Sequence, residues 1–346
     1  GGSSDGSNQA RNVAAYLQVD QSFAERLNVS AGMRYEYFDV NGSGIGKPVF
    51  RAGANYQIAE ATYLRSSFGQ GFRFPTIAER YIRTGLGTMQ IYPNEELNPE
   101  FATSAEVGFK QGLQFGRFKG FLDFALFRQD FKDYIEFTFG QWGPDDGQLP
   151  DLSNTFGLGF KSINTGDSRV TGAEVSTAGR IETNRVRLDI LAGYTFTRPI
   201  SLTPNQNYNP DPTGTETTYY NTSYDTTNLI LKYRSPHLVR IDVQATGAKW
   251  FGGVSVRYQS KLQNFDEAFI LFEAEDLADI EWGLASWLDT HPRSPWLIDF
   301  RVGRQWNEHH RLSIVVSNLA NKEYSIRPLA MEQPRLTKIM YTYEIK

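Results

Sequence analysis

The chain lacks residues on which several classes of protein depend. Its 346 residues include no cysteine, which excludes a disulfide framework and a thiolate metal site. Only four histidines are present, and we expect the adjacent pair His309 and His310 to form a solvated turn, since a metal site needs further ligands at suitable spacing. The formal net charge is -4, which argues against non-specific nucleic-acid binding, because that needs a basic surface.

Long apolar segments are also missing. No run approaches the roughly 20 apolar residues of a spanning helix, and the mean hydropathy is negative, so a helical membrane protein is excluded. A membrane β-barrel stays possible, because half of each strand faces a polar lumen and hides the signal. Aromatic residues are abundant instead, at 14%. They are favoured in strands and at membrane–water boundaries.

An alternation of apolar and polar residues runs along most of the chain. In the last segment Ile339, Tyr341 and Tyr343 alternate with Lys338 and Thr342. Successive side chains of a strand point to opposite faces, so one face here is apolar and the other mostly polar. The same alternation recurs over 29–37, 186–196, 239–246, 254–259, 298–303 and 312–317. The pattern predicts an all-β protein without an α-helical domain.

The connections between the predicted strands are alternately short and long. The short ones are 23–27, 59–61, 113–117, 182–185, 249–250 and 307–310. The long ones are 41–49, 72–102, 140–159, 199–226, 263–294 and 320–333. This asymmetry is typical of a transmembrane antiparallel β-barrel in the outer membrane, with turns in the periplasm and loops outside. The alternative, a soluble sandwich or lipocalin-like barrel, does not need such an asymmetry.

The strand count indicates an incomplete barrel. Spans from 14–22 to 336–345 give about 13 strands of membrane-crossing length, whereas single-chain bacterial barrels have an even number. An unclosed barrel leaves unpaired backbone groups in hydrocarbon. We therefore expect residues 12–346 to be the C-terminal part of a larger barrel, with residues 1–11 as a flexible remnant of an extracellular loop. We expect the remaining strands to be absent from this sequence or supplied by another polypeptide.

Four short motifs occur in order. They are Gly69–Thr76 followed by Glu79; Asn94–Glu100 followed by Ser104, Glu106 and Gly108; Asn164–Gly166 followed by Gly172–Val175; and Asn318–Tyr324 followed by Pro334 and Arg335. Each motif is weak alone. Together, over residues 12–346, they resemble the TonB-dependent outer-membrane receptors. The resemblance implies a plugged barrel of about 22 strands, of which this chain holds the last 13 or so. It also implies energised uptake: an extracellular small molecule binds, a plug moves under TonB force, and the ligand passes inward.

Candidate ligand contacts come from aromatic and basic residues of the long loops. They are Arg73, Trp142, Tyr208, Tyr219, Tyr220, Trp282 and Arg327. Tyr-rich and Asn-rich loops give adaptable contacts, but each candidate has a structural alternative. Arg73 could pair with Glu79 at a structural corner. The loop 199–226 could be ordinary solvated surface. The acidic segment 265–291 could form a short amphipathic helix over the barrel mouth rather than bind a cation or a partner.

The expected function is transport of a scarce nutrient, such as an iron–siderophore complex, cobalamin or a glycan. No cofactor is expected. The expected partners are outer-membrane lipid, the plug and missing strands, TonB through the plug, and a surface lipoprotein or other complex partner. One alternative is a structural subunit that does not transport and is completed by another chain. An outer-membrane enzyme is a further class, but no Ser-His-Asp grouping or paired carboxylates emerge. We expect polar-face charges such as Arg187, Asp189, Arg240, Asp242, Asp299 and Arg301 to form cross-strand pairs.

Overall fold

The structure of the chain is a computed structural model. It describes residues 7–86, 89–143, 157–209, 216–274, 283–327 and 330–345. In chain order the elements are β1 Ala10–Phe23, β2 Leu27–Val40, β3 Ser43–Ala59, β4 Thr62–Arg73, α1 Ile77–Tyr81, β5 Thr84–Leu86, β6 Met89–Tyr92, β7 Glu100–Phe115, β8 Phe118–Lys132, β9 Ile135–Gln141, β10 Leu158–Asn164, β11 Ser168–Glu182, β12 Val186–Ser201, α2 Tyr219–Thr222, β13 His237–Gly247, β14 Trp250–Gln259, α3 Ala268–Ala274, α4 Leu284–Thr290, β15 Leu297–Gln305, β16 His310–Ser317 and β17 Leu336–Tyr343.

Most of the described chain forms one 13-stranded sheet, here called the wall. Its order is β1-β2-β3-β4-β7-β8-β11-β12-β13-β14-β15-β16-β17, so each strand pairs with the next wall strand along the chain. Every pairing is antiparallel. The all-β class and the strand number predicted from the alternation are confirmed.

The two faces of the wall differ in chemistry. On one face large apolar side chains lie exposed along neighbouring strands, for example Val107 of β7 at 53% and Leu126 of β8 at 46%. These two residues are direct cross-strand partners. On the other face Arg65 of β4 pairs with Glu106 at 3.1 Å and with Asp123 at 2.6 Å. We call these the apolar and the polar face.

The closing strand shows the same division. Ile339 and Tyr341 lie on the apolar face and are 70% and 60% exposed, and Tyr341 is the register partner of Leu312 in β16. The alternation that predicted the strand is confirmed.

Cross-strand ion pairs on the polar face follow the prediction with two exceptions. Arg187 pairs at 2.8 Å with Asp189 of its own strand rather than across strands. Arg301 pairs with Asp242 at 2.7 Å, and Arg257 pairs with Asp299 at 3.3 Å. Arg240, however, lies directly opposite Arg257 in the β13–β14 ladder. The expected cross-strand ion pair of Arg240 was therefore wrong, because strand register places another arginine beside it.

One end of the wall carries short turns and the other long connections. The turns span 24–26, 60–61, 116–117, 183–185, 248–249 and 306–309. The predicted long loop 41–49 is wrong. β2 and β3 form a tight hairpin in which Asn41 and Gly42 alone are unpaired, with φ of 53° and 82°. Asn-Gly is the preferred pair for a two-residue turn with positive φ at both positions.

The loop layer is formed by the segments above the wall. It contains a four-stranded sheet of order β5-β6-β10-β9 and the short helices α1 to α4. The predicted helical content of the acidic segment is confirmed by α3 and α4. Among the helices described, none is long and apolar enough to cross a membrane.

Candidate ligand-binding site

A small apolar core holds the loop layer together. Phe265, Phe269 and Leu284 are buried and pack with Trp287 and Leu288. On its other side the core contacts the small sheet. The ring centroids of Phe139 and Phe269 lie 5.5 Å apart, and the ring of Phe160 lies 5.2 Å from Phe139 and 6.4 Å from Phe269. Aromatic pairs at such separations add to the area that they bury. The core therefore couples α3 and α4 to β9 and β10.

A buried ion pair lies beneath this core. Lys232 Nζ is 2.5 Å from Asp266 Oδ1, and the two side chains are only 4% and 1% exposed. Lys232 also donates to Thr222 Oγ1 at 2.8 Å, and Tyr233 donates its hydroxyl to Asp266 Oδ2. Buried charges persist only when they are paired and hydrogen-bonded. The pair thus ties the segment before β13 to α2 and to the start of α3.

A second buried network fixes the neighbouring loop. Asn264, fully buried, donates to Tyr219 Oη at 3.0 Å and to the Ile230 carbonyl at 2.8 Å. Tyr208 donates to the Thr218 carbonyl at 2.8 Å. Burial raises the pKa of both Tyr208 and Tyr219, so their hydroxyls stay protonated. These groups set the shape of the loops.

A cavity of about 310 Å³ opens between α4 and the connection 318–335. Its inner wall is apolar and includes the buried Phe265 and Leu284 together with Trp287. Lys261 and Arg327 stand at its border. Ligand sites combine an apolar wall with a few placed polar groups in this way.

The two cations at the cavity differ in their partners. Lys261 Nζ donates to the Leu288 carbonyl at 3.2 Å, which fixes the ammonium against α4 beside the cavity. The guanidinium of the exposed Arg327 has no hydrogen-bond or ion-pair partner among the described residues. Its donors are therefore open to an incoming anion.

Two further arginines line a second cavity next to the first. This cavity of about 230 Å³ shares Leu262 and Ser325 with the first and is lined by Arg240 and Arg257 on the polar face of the wall. Arg257 is neutralised by Asp299, whereas Arg240 has no carboxylate partner in the described structure. Glu332 also lines this cavity, so Arg240 is the arginine there that can attract an anion.

The candidate residues predicted from sequence are scattered. Arg73 pairs with Glu79 at 2.9 Å, as its structural alternative proposed. Trp142 donates to the Thr138 carbonyl at 3.2 Å. Tyr220 is 45% exposed and stands edge-on to Tyr219. Trp282 lies outside the described residues.

Of the predicted ligand contacts, the structure places Arg327 at the cavity. Tyr208 and Tyr219 are buried in the supporting network. The other residues that line the cavity, above all Lys261, Leu284 and Trp287, were not predicted from sequence as ligand contacts. Trp287 and Leu284 belong to the acidic segment whose apolar residues predicted a helix over the barrel mouth, and that signal could have located them.

A family model described as "TonB dependent receptor-like, beta-barrel" matches residues 1–319 of the chain. The chain belongs to this family. Its members are receptors of the outer membrane rather than enzymes, and they bind extracellular ligands and TonB. The apolar face of the receptor wall therefore faces lipid, and the polar face faces the lumen. The short turns are periplasmic and the loop layer is extracellular.

Two curated relatives match a third of the chain. The receptor is 29% identical over 119 residues to the hemoglobin and hemoglobin-haptoglobin-binding protein of Haemophilus ducreyi, covering 33% of this chain and 11% of that protein. It is 27% identical over 117 residues to hemoglobin-binding protein A of Haemophilus influenzae, again covering 33% and 11%. The chain thus spans only a small part of the length of these relatives.

Solved structures match nearly the whole chain. The copper transporter OprC superposes with a TM-score of 0.65 at 13% identity, covering 97% of this chain and 48% of that one. A double mutant of the Serratia marcescens hemophore receptor HasR, in complex with its hemophore HasA and heme, gives 0.61 at 16% identity, covering 96% and 51%. At such identities the likeness shows the shared fold. The chain spans about half the length of these structures.

Proposed function

We propose that the receptor takes up an anionic iron chelate that has an apolar face. The observation that carries this proposal is the cavity beside α4, where Lys261 and Arg327 border a wall of Phe265, Leu284 and Trp287. The cations would bind carboxylate or other anionic groups of the chelate, and the apolar wall would contact its hydrocarbon or aromatic part.

The chemistry of the cavity separates the ligand classes. Two cations over an apolar wall suit an acidic siderophore or the carboxylates and flat ring of heme. A glycan is recognised mainly through its hydroxyl groups, and few neutral polar side chains line this cavity. Cobalamin does not require paired cations. The two curated relatives are named for hemoglobin binding, which supports an iron-containing ligand.

The adjoining arginines extend the proposal to a route. Arg240 lines the next cavity on the lumenal face beside the paired Arg257 and Glu332, so an anion leaving Lys261 and Arg327 would meet the guanidinium of Arg240 on its way inward. We propose that the wall from β1 onward forms the C-terminal part of the barrel, that the residues before β1 belong to an extracellular loop, and that a plug and further strands complete the transporter. TonB would then act through the plug.

Equilibrium binding to the complete receptor tests the ligand class. Purified receptor is titrated with heme, an acidic ferric siderophore, a neutral ferric siderophore, cobalamin and a maltooligosaccharide. We expect one of the two anionic iron chelates to bind most tightly. The double variant Lys261→Gln, Arg327→Gln should weaken its binding on the order of ten-fold or more, since each charge-assisted hydrogen bond contributes about 1 kcal/mol at such a partly exposed site.

The control is Arg117→Gln, which removes one positive charge from an exposed periplasmic turn and is compared with each single variant as well as with the double variant. It should bind like the wild type. Preferential binding of cobalamin, the glycan or the neutral chelate would contradict the proposal, as would unchanged affinity in the double variant. If none of the ligands binds to a correctly assembled receptor, the result supports the alternative of a structural subunit that does not transport.

A further inference from the structure

The lipid-facing side of the wall carries a cluster of arginines at its extracellular end. Arg128 of β8 lies on the same face as Phe124 and Leu126, because side chains alternate along a strand. Arg169 of β11 and Arg198 of β12 lie on this face too, as the register places Thr171 directly between Arg128 and Arg198. We call these three residues and Asp130 the outward arginine cluster.

The cluster lies at the extracellular edge of the apolar belt. Arg128 is about 10 residues from the periplasmic start of β8, Arg198 about 12 from that of β12, and Arg169 about 13 from the periplasmic end of β11. At about 3.3 Å per residue and a strand tilt of about 45°, these correspond to heights of roughly 23, 28 and 30 Å. The apolar band of an outer-membrane barrel is about 25 Å tall. The arginines are therefore level with the headgroups of the outer leaflet.

The opposite end of the same strands has no such charges on this face. The lipid-facing residues nearest the periplasmic turns are Phe118 and Gly120 of β8, Ile181 of β11, and Val186 and Leu188 of β12. A general need for charged residues at both membrane boundaries would place cations at both ends. The charge on these strands is specific to the outer leaflet.

One carboxylate serves the cluster and leaves it positive. Asp130 Oδ2 is 2.7 Å from Arg128 Nε, and Oδ1 is 2.6 Å from Arg169 Nε. Three guanidiniums against one carboxylate give a net charge of +2. The exposed Arg198 has no hydrogen-bond or ion-pair partner among the described residues. Asp130 accepts from both Nε and Nη2 of Arg128 but from Nε alone of Arg169, so the terminal donors of Arg169 stay open to a ligand.

We propose that the outward arginine cluster binds the phosphate groups of an anionic lipid in the outer leaflet. Guanidiniums match phosphate oxygens in a bidentate geometry, and basic groups at the membrane surface recognise lipid headgroups electrostatically. Thr171 lies between Arg128 and Arg198, so the two guanidiniums flank a gap that a phosphate would fill. The proposal does not depend on which nutrient the receptor imports.

Native mass spectrometry of the receptor purified from outer membranes tests this. Delipidated receptor is titrated with diphosphoryl lipid A and with the same lipid after enzymatic removal of its phosphates. We expect the phosphorylated lipid to bind far more tightly. The double variant Arg169→Gln, Arg198→Gln should lose about 25-fold in affinity, at about five-fold for each cation near the membrane surface.

Two further variants sharpen the result. Arg169→Lys with Arg198→Lys keeps the charge but removes the bidentate geometry, and should bind with intermediate affinity. Arg187→Gln removes a charge from the lumenal face of β12 and should bind like the wild type. Retention of the temperature-dependent gel mobility shows that each variant forms a barrel.

Three outcomes would overturn the proposal. They are equal binding of the phosphorylated and dephosphorylated lipids, unchanged affinity in Arg169→Gln, Arg198→Gln, and full competition by millimolar inorganic phosphate. The last outcome would assign the cluster to a soluble anion instead of a lipid.

Discussion

The wall and the loop layer of this receptor are stabilised in different ways. Apolar side chains of the wall, such as Val107 and Leu126, lie exposed on its outer face. Those of the loop layer, such as Phe139, Phe265 and Phe269, are almost fully buried. The wall depends on the backbone hydrogen bonds of its ladders and on contact with lipid, whereas the loop layer has a core like that of a small soluble protein.

Ion pairs divide in the same manner. Pairs on the lumenal face remain partly exposed, for example Arg65 with Glu106 at 34% and 35%. The loop layer contains the Lys232–Asp266 pair, which is almost completely removed from solvent. Exposed pairs contribute little to stability, whereas removing one partner of a buried pair leaves an uncompensated charge. Changes in the loop layer should therefore alter loop structure and leave the barrel intact.

The largest effect is expected from Asp266→Asn. The variant leaves Lys232 buried without its counter-ion, which should destabilise the loop layer by about 3–5 kcal/mol. Hydrogen exchange should show lost protection in α2 and α3 and unchanged protection in β13 and β14. Asp289→Asn, at an exposed position of α4, is the control and should exchange like the wild type. Unchanged protection of α3 in Asp266→Asn would contradict this account.

Leu284→Ala should have the next largest effect. Leu284 is 5% exposed and lies in the core of the loop layer. Its truncation leaves a cavity that costs about 2–5 kcal/mol. Proteolysis of the native receptor should become faster around α4. The matched variant Leu271→Ala removes the same atoms from a side chain that is 48% exposed. If the two variants are cleaved at the same rate, the loop layer has no cooperative core.

Val107→Arg tests the wall rather than the loop layer, because it adds a charge to the lipid-facing side. Val107 is in the middle of β7 and faces lipid, so an arginine there should cost roughly 2–4 kcal/mol at the bilayer midplane. The fraction of receptor that folds into lipid vesicles should fall, as measured by gel mobility before heating. Val107→Ala is the control and should fold nearly as well as the wild type. Normal assembly of Val107→Arg would mean that this face is in water.

The wall could be predicted from sequence because its pattern is local. Alternation in segments such as 336–343 needs no knowledge of distant residues, and strand direction followed from connection lengths. The prediction of a long loop over 41–49 overlooks the hairpin at Asn41 and Gly42, although the Asn-Gly pair signals such a turn.

The contacts of the loop layer could not be predicted from sequence, because they join segments that are far apart in the chain. Lys232 and Asp266 are 34 residues apart, and nothing in their neighbourhoods marks them as partners. The sequence places Asp266 among the acidic residues of segment 265–291, and the composition of that segment does not show that Asp266 is buried whereas Asp289 is exposed. The ion pair predicted for Arg240 was wrong for a related reason, since a register shift of one residue decides which charged side chain lies opposite Arg240.

The smallest effect is expected at the corner where the wall meets the loop layer, with Glu79→Gln. Glu79 completes a capping box with Thr76 at the start of α1 and pairs with Arg73. Burial disfavours its charge, but the hydrogen bonds from the Thr76 backbone and Arg73 outweigh this, so the pKa of Glu79 is below its usual value. A lowered pKa in the folded state means that the stabilisation is present above the ordinary, unfolded-state pKa of 4.5 and is lost as the pH falls further, through the folded-state pKa.

In hydrogen exchange, α1 of the wild type should therefore lose protection below about pH 4.5. Glu79→Gln should be about 1 kcal/mol less stable locally at neutral pH, with little change between pH 6 and pH 3. The exposed Glu95 provides the control variant Glu95→Gln, which should keep the pH dependence of the wild type. If Glu79→Gln also kept that dependence, the acid sensitivity of the corner would come from other carboxylates, and the ion pair with Arg73 would contribute no more than the exposed pairs of the wall.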